Sequence, residues 1–185
     1  MAEFRIETER LILREWRDDD LAPFAAMCAD PAVMATLGPL KTRGETAALI
    51  ARVKAIGDEC GHTMWAVERV TDSRFIGWCG LIPGVFWPLL SKVEVGWRIA
   101  TDCWGHGYAR EAAEASLDWA FTNLADERVW AITTPGNTRS WGLMERLGMK
   151  RHPELDFDHP NVPDGTPLKR HITYSIGRDE WPKTR

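Results

Sequence analysis

Residues 93–124, VEVGWRIATDCWGHGYAREAAEASLDWAFTNL, constrain the fold more than any other part of the chain. In the first seven, Val93, Val95, Trp97 and Ile99 alternate with Glu94, Gly96 and Arg98, the period of a strand with two unlike faces. Beyond a loop carrying Gly105, His106 and Gly107, the residues Ala109, Ala112, Ala113, Ser116, Leu117, Ala120, Phe121 and Leu124 recur at spacings of three and four. That is the buried stripe of an amphipathic helix. Strand, glycine turn and helix in succession present bare amides at a helix N-terminus, where the unpaired N–H groups and the macrodipole favour phosphate. The stretch therefore predicts an anion cradle suited to the pyrophosphate of a large cofactor.

The flanking segments supply a sheet around this unit. Residues 10–16 read as a strand, with Leu11 and Leu13 on one side and Arg10, Ile12 and Arg14 on a wetter one. Asp18, Asp19 and Asp20 offer an N-cap and an acidic first turn to a helix ending near Cys28. Asp30-Pro31 restarts the chain as a short helical piece, and Thr42 or Gly44 opens a longer helix stopped by Gly61. Residues 62–70 and 74–83 flank Thr71-Asp72-Ser73 as a hairpin. Next come a strand over 128–134, a helix over 137–148 and a strand over 149–152. Pro153, Pro160, Pro163 and Pro167 break the chain into an irregular loop before a last strand at 169–176. The expected architecture is α/β (α+β), a mixed central sheet of about seven strands with helices on both faces, in one domain over 1–185.

A length of 185 residues suits one such domain, and 44% hydrophobic with 27% charged residues is ordinary for a globular protein. A formal net charge of -4 argues against a nucleic-acid surface spread over the fold. The opening MAEFRIETERLILREW lacks an apolar signal core, and no run of about 18 apolar residues occurs, so a cytoplasmic protein without a membrane partner is expected. Cys28, Cys60, Cys79 and Cys103 lie far apart with no CxxC, which reads as reduced thiols. His62, His106, His152, His159 and His171 show no helical ligand spacing, so no metal is expected.

The glycine loop by itself is unspecific. The third glycine of a dinucleotide G-x-G-x-x-G is replaced by Arg110, and no G-x-x-x-x-G-K-[ST] occurs. Three motifs together are more telling: E-V-G-W from Glu94, W-G-x-G-Y-A-x-E-A from Trp104, and N-x-x-S-x-x-L-M-E-R-L-G-M from Asn137. With the T-E-R-L-x-L-R at Thr8 to Arg14, they make a chain that resembles the acyl-CoA N-acyltransferases of the GNAT superfamily, in the RimJ/RimL-like branch related to ribosomal-protein N-terminal acetyltransferases. The resemblance covers nearly the whole chain.

What the resemblance implies is a sheet whose central pair, 93–99 and 128–134, splays to admit acetyl-CoA. The backbone of Val95, Gly96, Trp97 and Arg98 would meet the pantetheine arm, with Gly96 a place for a β-bulge. The amides of Trp104, Gly105, His106, Gly107, Tyr108 and Ala109 would hold the pyrophosphate, with His106, Arg110 and Arg139 as candidate cationic partners. Asn137 and Met144 would contact the cofactor on the other side. One residue departs from the pattern: Asp102 stands where the superfamily carries Gln or Arg, and a carboxylate beside a pyrophosphate is unfavourable unless it points away.

Acyl transfer to an amine needs a base, a polarised carbonyl and a proton for the departing thiolate. Glu94, on the polar side of its strand, is the first candidate base, and Glu68 the second. Many relatives protonate the thiolate with a tyrosine; that position is Met144 here, which cannot donate. In the RimL-like branch a serine one turn earlier takes the role, which points to Ser140. The carbonyl would lean on a backbone N–H near Trp97. The acceptor site is expected from the N-terminal helices, the loop with Phe86 and Trp87, and the acidic loop with Asp156. A protein N-terminus, a small amine and an aminoglycoside all remain open as acceptors, as do a monomer and a homodimer. The alternative class is a coenzyme A-binding sensor without transfer activity.

Overall fold

A computed structural model of the chain describes residues 4–182. In order, the elements are β1 (Arg5–Glu7), β2 (Leu11–Arg14), α1 (Leu21–Cys28), α2 (Pro31–Met34), α3 (Arg43–Cys60), β3 (Met64–Arg69), β4 (Arg74–Pro83), β5 (Val93–Ile99), α4 (Tyr108–Asn123), β6 (Arg128–Thr133), α5 (Thr138–Arg146), β7 (Lys150–Arg151), β8 (Phe157–Asp158) and β9 (Arg170–Gly177). The strands form a mixed sheet, antiparallel in its assigned ladders except where β5 meets β6 in parallel. Two short strands go beyond the sequence reading. β1 and β8 span three and two residues, too few to show alternation, and β8 lies inside the proline-broken loop.

The chain resolves into two compact units: Met1–Ile82 with Gly96–Ser116, and Pro83–Val95 with Leu117–Arg185. It passes between them at three points, through β5 and α4 among others, so no single cut separates them.

In the first unit β1, β2, β3 and β4 are neighbours in sequence order, with the second half of β5 following β4. One face carries the aromatic cluster of Trp16, Phe24, Phe75 and Trp78, packed with Met27, Cys28, Val33, Ile50 and Val53 from α1, α2 and α3. Full burial of each large apolar side chain contributes roughly 1.5–3 kcal/mol. The other face meets α4, where Cys79 Sγ lies 3.6 Å from Ser116 Oγ. Adjacent residues Trp78 and Cys79 thus face opposite helical layers, as strand alternation requires. α3 is delimited as its sequence suggests: Thr42 accepts from the Glu45 amide at 3.2 Å, Glu45 answers to the Thr42 amide, and Gly61 closes the helix at φ +74°.

The wetter side expected for β2 is corrected by the structure. All four residues of β2 are buried, and Arg14 is only 3% exposed. Its guanidinium grips both Asp20 oxygens at 2.8 and 2.9 Å and Glu68 at 2.7 Å. Two carboxylates satisfy the fork, which is why an arginine tolerates this position.

In the second unit β6 pairs antiparallel with β9 over six residues, from Arg128–Gly177 to Thr133–Ile172. β7 and β8 both add to β9. Arg178 holds the end of α4 by donating to the carbonyls of Leu124 at 2.6 Å and Asp126 at 3.0 Å. Those carbonyls have no helical partner, so a cation there is favoured. The parallel ladder between β5 and β6 contains two pairs, Val93–Val129 and Glu94–Trp130, while β5 itself runs on to Ile99.

Candidate active site

The loop from Thr101 to the start of α4 is built to leave amides open. Cys103 and Trp104 donate their amides to the carbonyls of Ala100 and Thr101, and the first helical bond runs from the Glu111 amide to Gly107 at 3.1 Å. Between them the amides of Gly105, His106, Gly107, Tyr108, Ala109 and Arg110 donate to no acceptor among the described residues. The open run therefore starts at Gly105 and reaches Arg110, correcting the inclusion of Trp104. Gly105 and Gly107 sit at φ +80° and +81°, the left-handed region that side chains resist. A Cβ on Gly105 would meet nothing within 4 Å, and one on Gly107 only Arg10 Nη2 at 3.4 Å. These glycines are required by backbone conformation, with open space in front of them. Six convergent N–H groups at a helix head fit a pyrophosphate.

Three arginines that the sequence reading left without a role border this loop. Arg10 donates to the His106 carbonyl at 2.9 Å, stacks 4.9 Å from the Tyr108 ring centre and pairs with Glu111 at 2.6 Å. Thr8 joins it, its hydroxyl 2.6 Å from the same Glu111 carboxylate. The T-E-R-L opening thus ties the first turn of α4 to β2. Arg69 pairs with Asp72, its Nε donating at 2.9 Å, and Asp72 holds its guanidinium above the usual range. Arg74 pairs with Asp102 at 2.7 Å, which holds the Asp102 carboxyl below its usual range. Asp102 is thereby explained: its charge is turned onto an arginine. Of the expected cationic partners, Arg110 is held along α4 by Glu114 at 2.9 Å. His106 is exposed, its ring 5.7 Å from that of Tyr108, and Arg139 is exposed near the head of α5.

Glu94 lies at the last β5–β6 pair. Its carboxylate has no hydrogen bond or ion pair among the described residues, and burial alone pushes its pKa up to about 7. Surface accessibility places the residue as half-buried, so it is surrounded by protein while still reachable from solvent. A carboxyl that is neutral about half the time at pH 7 is poised for proton transfer. Glu68 is different. It is 6% exposed and held by Arg14 at 2.7 Å and Arg17 at 3.0 Å, a structural carboxylate, which removes it as a base.

A Cβ on Gly96 would lie 2.7 Å from Met64 Cε, the tip of a flexible side chain that can turn aside, so packing by itself does not demand glycine there. A register shift falls at Val67/Glu68, where β3 pairs with β4. The side chain of Arg98 points to α1, with Nη1 3.0 Å from Cys28 Sγ, so a pantetheine arm laid along β5 would meet its backbone and not its guanidinium.

At the head of α5, Asn137 accepts from the Ser140 amide at 3.3 Å and its own amide donates to Thr134. Ser140 is half-buried, and its hydroxyl has no partner among the described residues. Met144 is 1% exposed and packs in the interior. Asp156 is also corrected. It is bound to both nitrogens of Arg151, Nη1 at 2.6 Å, and accepts from the Thr173 amide, so its charge is not available to an amine. Phe86 packs 4.6 Å from His159 and 5.6 Å from Phe157, anchoring its loop, while Trp87 is 64% exposed.

No group of three or more His, Cys, Asp or Glu residues is placed to hold a metal among the described residues, and no described helix is long and apolar enough to cross a membrane.

A family model described as an acetyltransferase (GNAT) domain matches residues 10–150. The Bacillus subtilis protein YkkB is 32% identical over 149 residues, spanning 80% of this chain and 86% of its own. An acetyltransferase of known structure from Agrobacterium tumefaciens superimposes with a TM-score of 0.76 at 26% identity, over 95% of each chain. RimJ from Mycobacterium smegmatis, solved with CoA-disulfide, shares the fold with a TM-score of 0.76 at 18% identity, over 94% of this chain and 85% of its own.

Proposed function

The chain belongs to the GNAT acetyltransferase family, and from that premise we propose that it moves an acetyl group from acetyl-CoA to a primary amine by direct attack within a ternary complex. Acetyl-CoA supplies the acetyl group as an activated thioester. The six open amides from Gly105 to Arg110 bind its pyrophosphate, and Arg10, through the His106 carbonyl and Glu111, keeps them in place. Glu94, directly or through water, takes a proton from the acceptor ammonium so that nitrogen can attack the carbonyl carbon. An amide of β5 near Trp97 takes up the negative charge on the carbonyl oxygen. The Ser140 hydroxyl gives its proton to the sulfur as the C–S bond breaks and regains one from the attacking nitrogen, so that the products are an amide and a free thiol, while Glu94 releases its proton to solvent. Holding amine and thioester together supplies much of the acceleration.

The observation that carries this reading is Glu94: an unpaired carboxylate with a pKa of about 7 at the end of the β5–β6 ladder. An α-amine, with a pKa of about 8, is within reach of such a base, and a lysine amine at about 10.4 is a harder substrate. The acceptor class favoured is therefore a protein N-terminus or a small α-amine. The test is free-thiol release from acetyl-CoA across a panel of amines, corrected for hydrolysis. Amine-dependent release supports the enzyme. Calorimetric binding of acetyl-CoA with no amine-dependent release would leave a coenzyme A sensor.

A further inference from the structure

The first unit contains two arginines drawn into the protein, and they are treated oppositely. Arg14 has two carboxylates in its fork. Arg98 has none. Its Nη1 donates to Cys28 Sγ at 3.0 Å, its Nε is buried with no hydrogen-bond partner, and its Nη2 meets no acceptor among the described residues. The Asp30 carboxylate, two residues beyond Cys28, is already used by the Ala32 amide and the Thr101 hydroxyl. The guanidinium is held flat all the same, 4.9 Å from the Trp78 ring centre and 5.6 Å from that of Phe24. Burial draws its pKa down, and the Cys28 thiol is the one group offsetting that.

A desolvated cation without a counter-charge is costly, and proteins retain one where a ligand completes it. Here the unmatched edge is Nε with Nη2, two parallel N–H donors at the spacing of a carboxylate's oxygens. The aromatic faces fix that edge before any ligand arrives. The same guanidinium is tied through Nη1 to Cys28 of α1, one of the helices expected to wall the acceptor. The phosphates of the cofactor are already served by the loop amides, so the anion that Arg98 awaits belongs to the other substrate.

We propose that Arg98 is a specificity residue that binds a carboxylate of the acceptor, so that the preferred substrate is an amino acid or a carboxylate-bearing peptide. The proposal rests on the acyl-transfer reading, and its test separates the two. Glycine, β-alanine, 4-aminobutyrate, glutamate and phenylalanine are compared with their carboxamides as acceptors for the wild type, Arg98→Lys and Arg98→Met. Thiol release is measured together with the Tm shift each compound produces in chloride-free buffer. The expected result is a preference of at least about tenfold in kcat/KM for one or more acids over the matching amide. Arg98→Met should abolish that preference by raising the acceptor KM while leaving the KM for acetyl-CoA unchanged. Arg98→Lys, which keeps the charge and loses the fork, should restore part of it. Arg98→Met alone should melt higher than the wild type, because an unpaired charge is replaced by an apolar chain of similar length. A merely structural stacking role would lower it instead. Equal use of acids and amides, or a preference that survives Arg98→Met, overturns the proposal. If no compound releases thiol but the acids raise the Tm of the wild type and not of Arg98→Met, the carboxylate site stands and acyl transfer falls. If the acids shift neither protein, the site falls.

Discussion

α4 and α5 both begin just after a strand-to-helix loop with glycines, yet their heads are finished in opposite ways. At α5, the amides of Asn137, Thr138, Ser140 and Trp141 all find carbonyls within the loop, and Asn137 adds a side-chain cap. At α4, six consecutive amides find no acceptor among the described residues. A helix head closed by its own residues positions side chains, here Ser140. An open head leaves its amides to a ligand, and here Arg10, Thr8 and Glu111 brace the loop from behind. The same local motif is thus finished in two ways, and the difference lies in backbone hydrogen bonding; under the proposed reading the closed head serves chemistry and the open head recognition.

Neither head supplies a base, so the largest expected effect comes from Glu94. Glu94→Gln should lower kcat/KM by about 10²-fold and erase an acidic limb centred near pH 7. The enzyme needs the carboxylate deprotonated, so wild-type activity should rise with pH through that value and then level. Stability runs the other way. The unfolded group loses its proton near 4.5 and the folded one near 7, so the folded state loses ground as pH rises across that window. Glu94→Gln should therefore melt higher than the wild type at pH 8 and the same at pH 4, as scanning calorimetry would show.

The next test strikes the open head. Gly107→Val should weaken acetyl-CoA binding by tenfold or more, about 1.4 kcal/mol, by straining the left-handed backbone and crowding the amides. Gly136→Val, at the corresponding approach to α5, has open space around it and should leave that affinity unchanged. Equal loss in both variants by calorimetry would show that the two heads do not differ in the way their hydrogen bonds indicate.

The smallest effects distinguish the two residues at the closed head. Ser140→Ala should lower kcat roughly tenfold with the KM for acetyl-CoA unchanged, as for a group that acts late in the reaction. Asn137→Ala removes the cap and should cost about 1 kcal/mol, a Tm fall of about 3 °C, with a modest effect on kcat. A kcat loss in Asn137→Ala as large as in Ser140→Ala would move the proton-donating role off the serine.

Much of this was legible beforehand because it is local. The alternation at 93–99, the stripe of α4, the capping box at Thr42 and Glu45 and the stop at Gly61 are set by neighbours within a turn or two, and each appears where its pattern places it. The glycine loop was readable for the same reason, since residues at φ +80° and +81° announce themselves by type. What stayed hidden depends on partners far along the chain. Arg14 and Glu68 look like surface charges until they meet 54 residues apart. Asp102 looks unfit for a phosphate loop until Arg74 neutralises it. Arg10 looks like part of a motif without a purpose until it reaches the His106 carbonyl, 96 residues away. Sequence alone determined the elements and the type of site, because backbone preference and periodicity are short-range. Tertiary structure decided which charges are compensated and which are left open, because an ion pair depends on distance in space and leaves no period in the chain. Glu94 and Arg98 stand out for that reason: both are half-buried, and neither meets an opposite charge among the described residues.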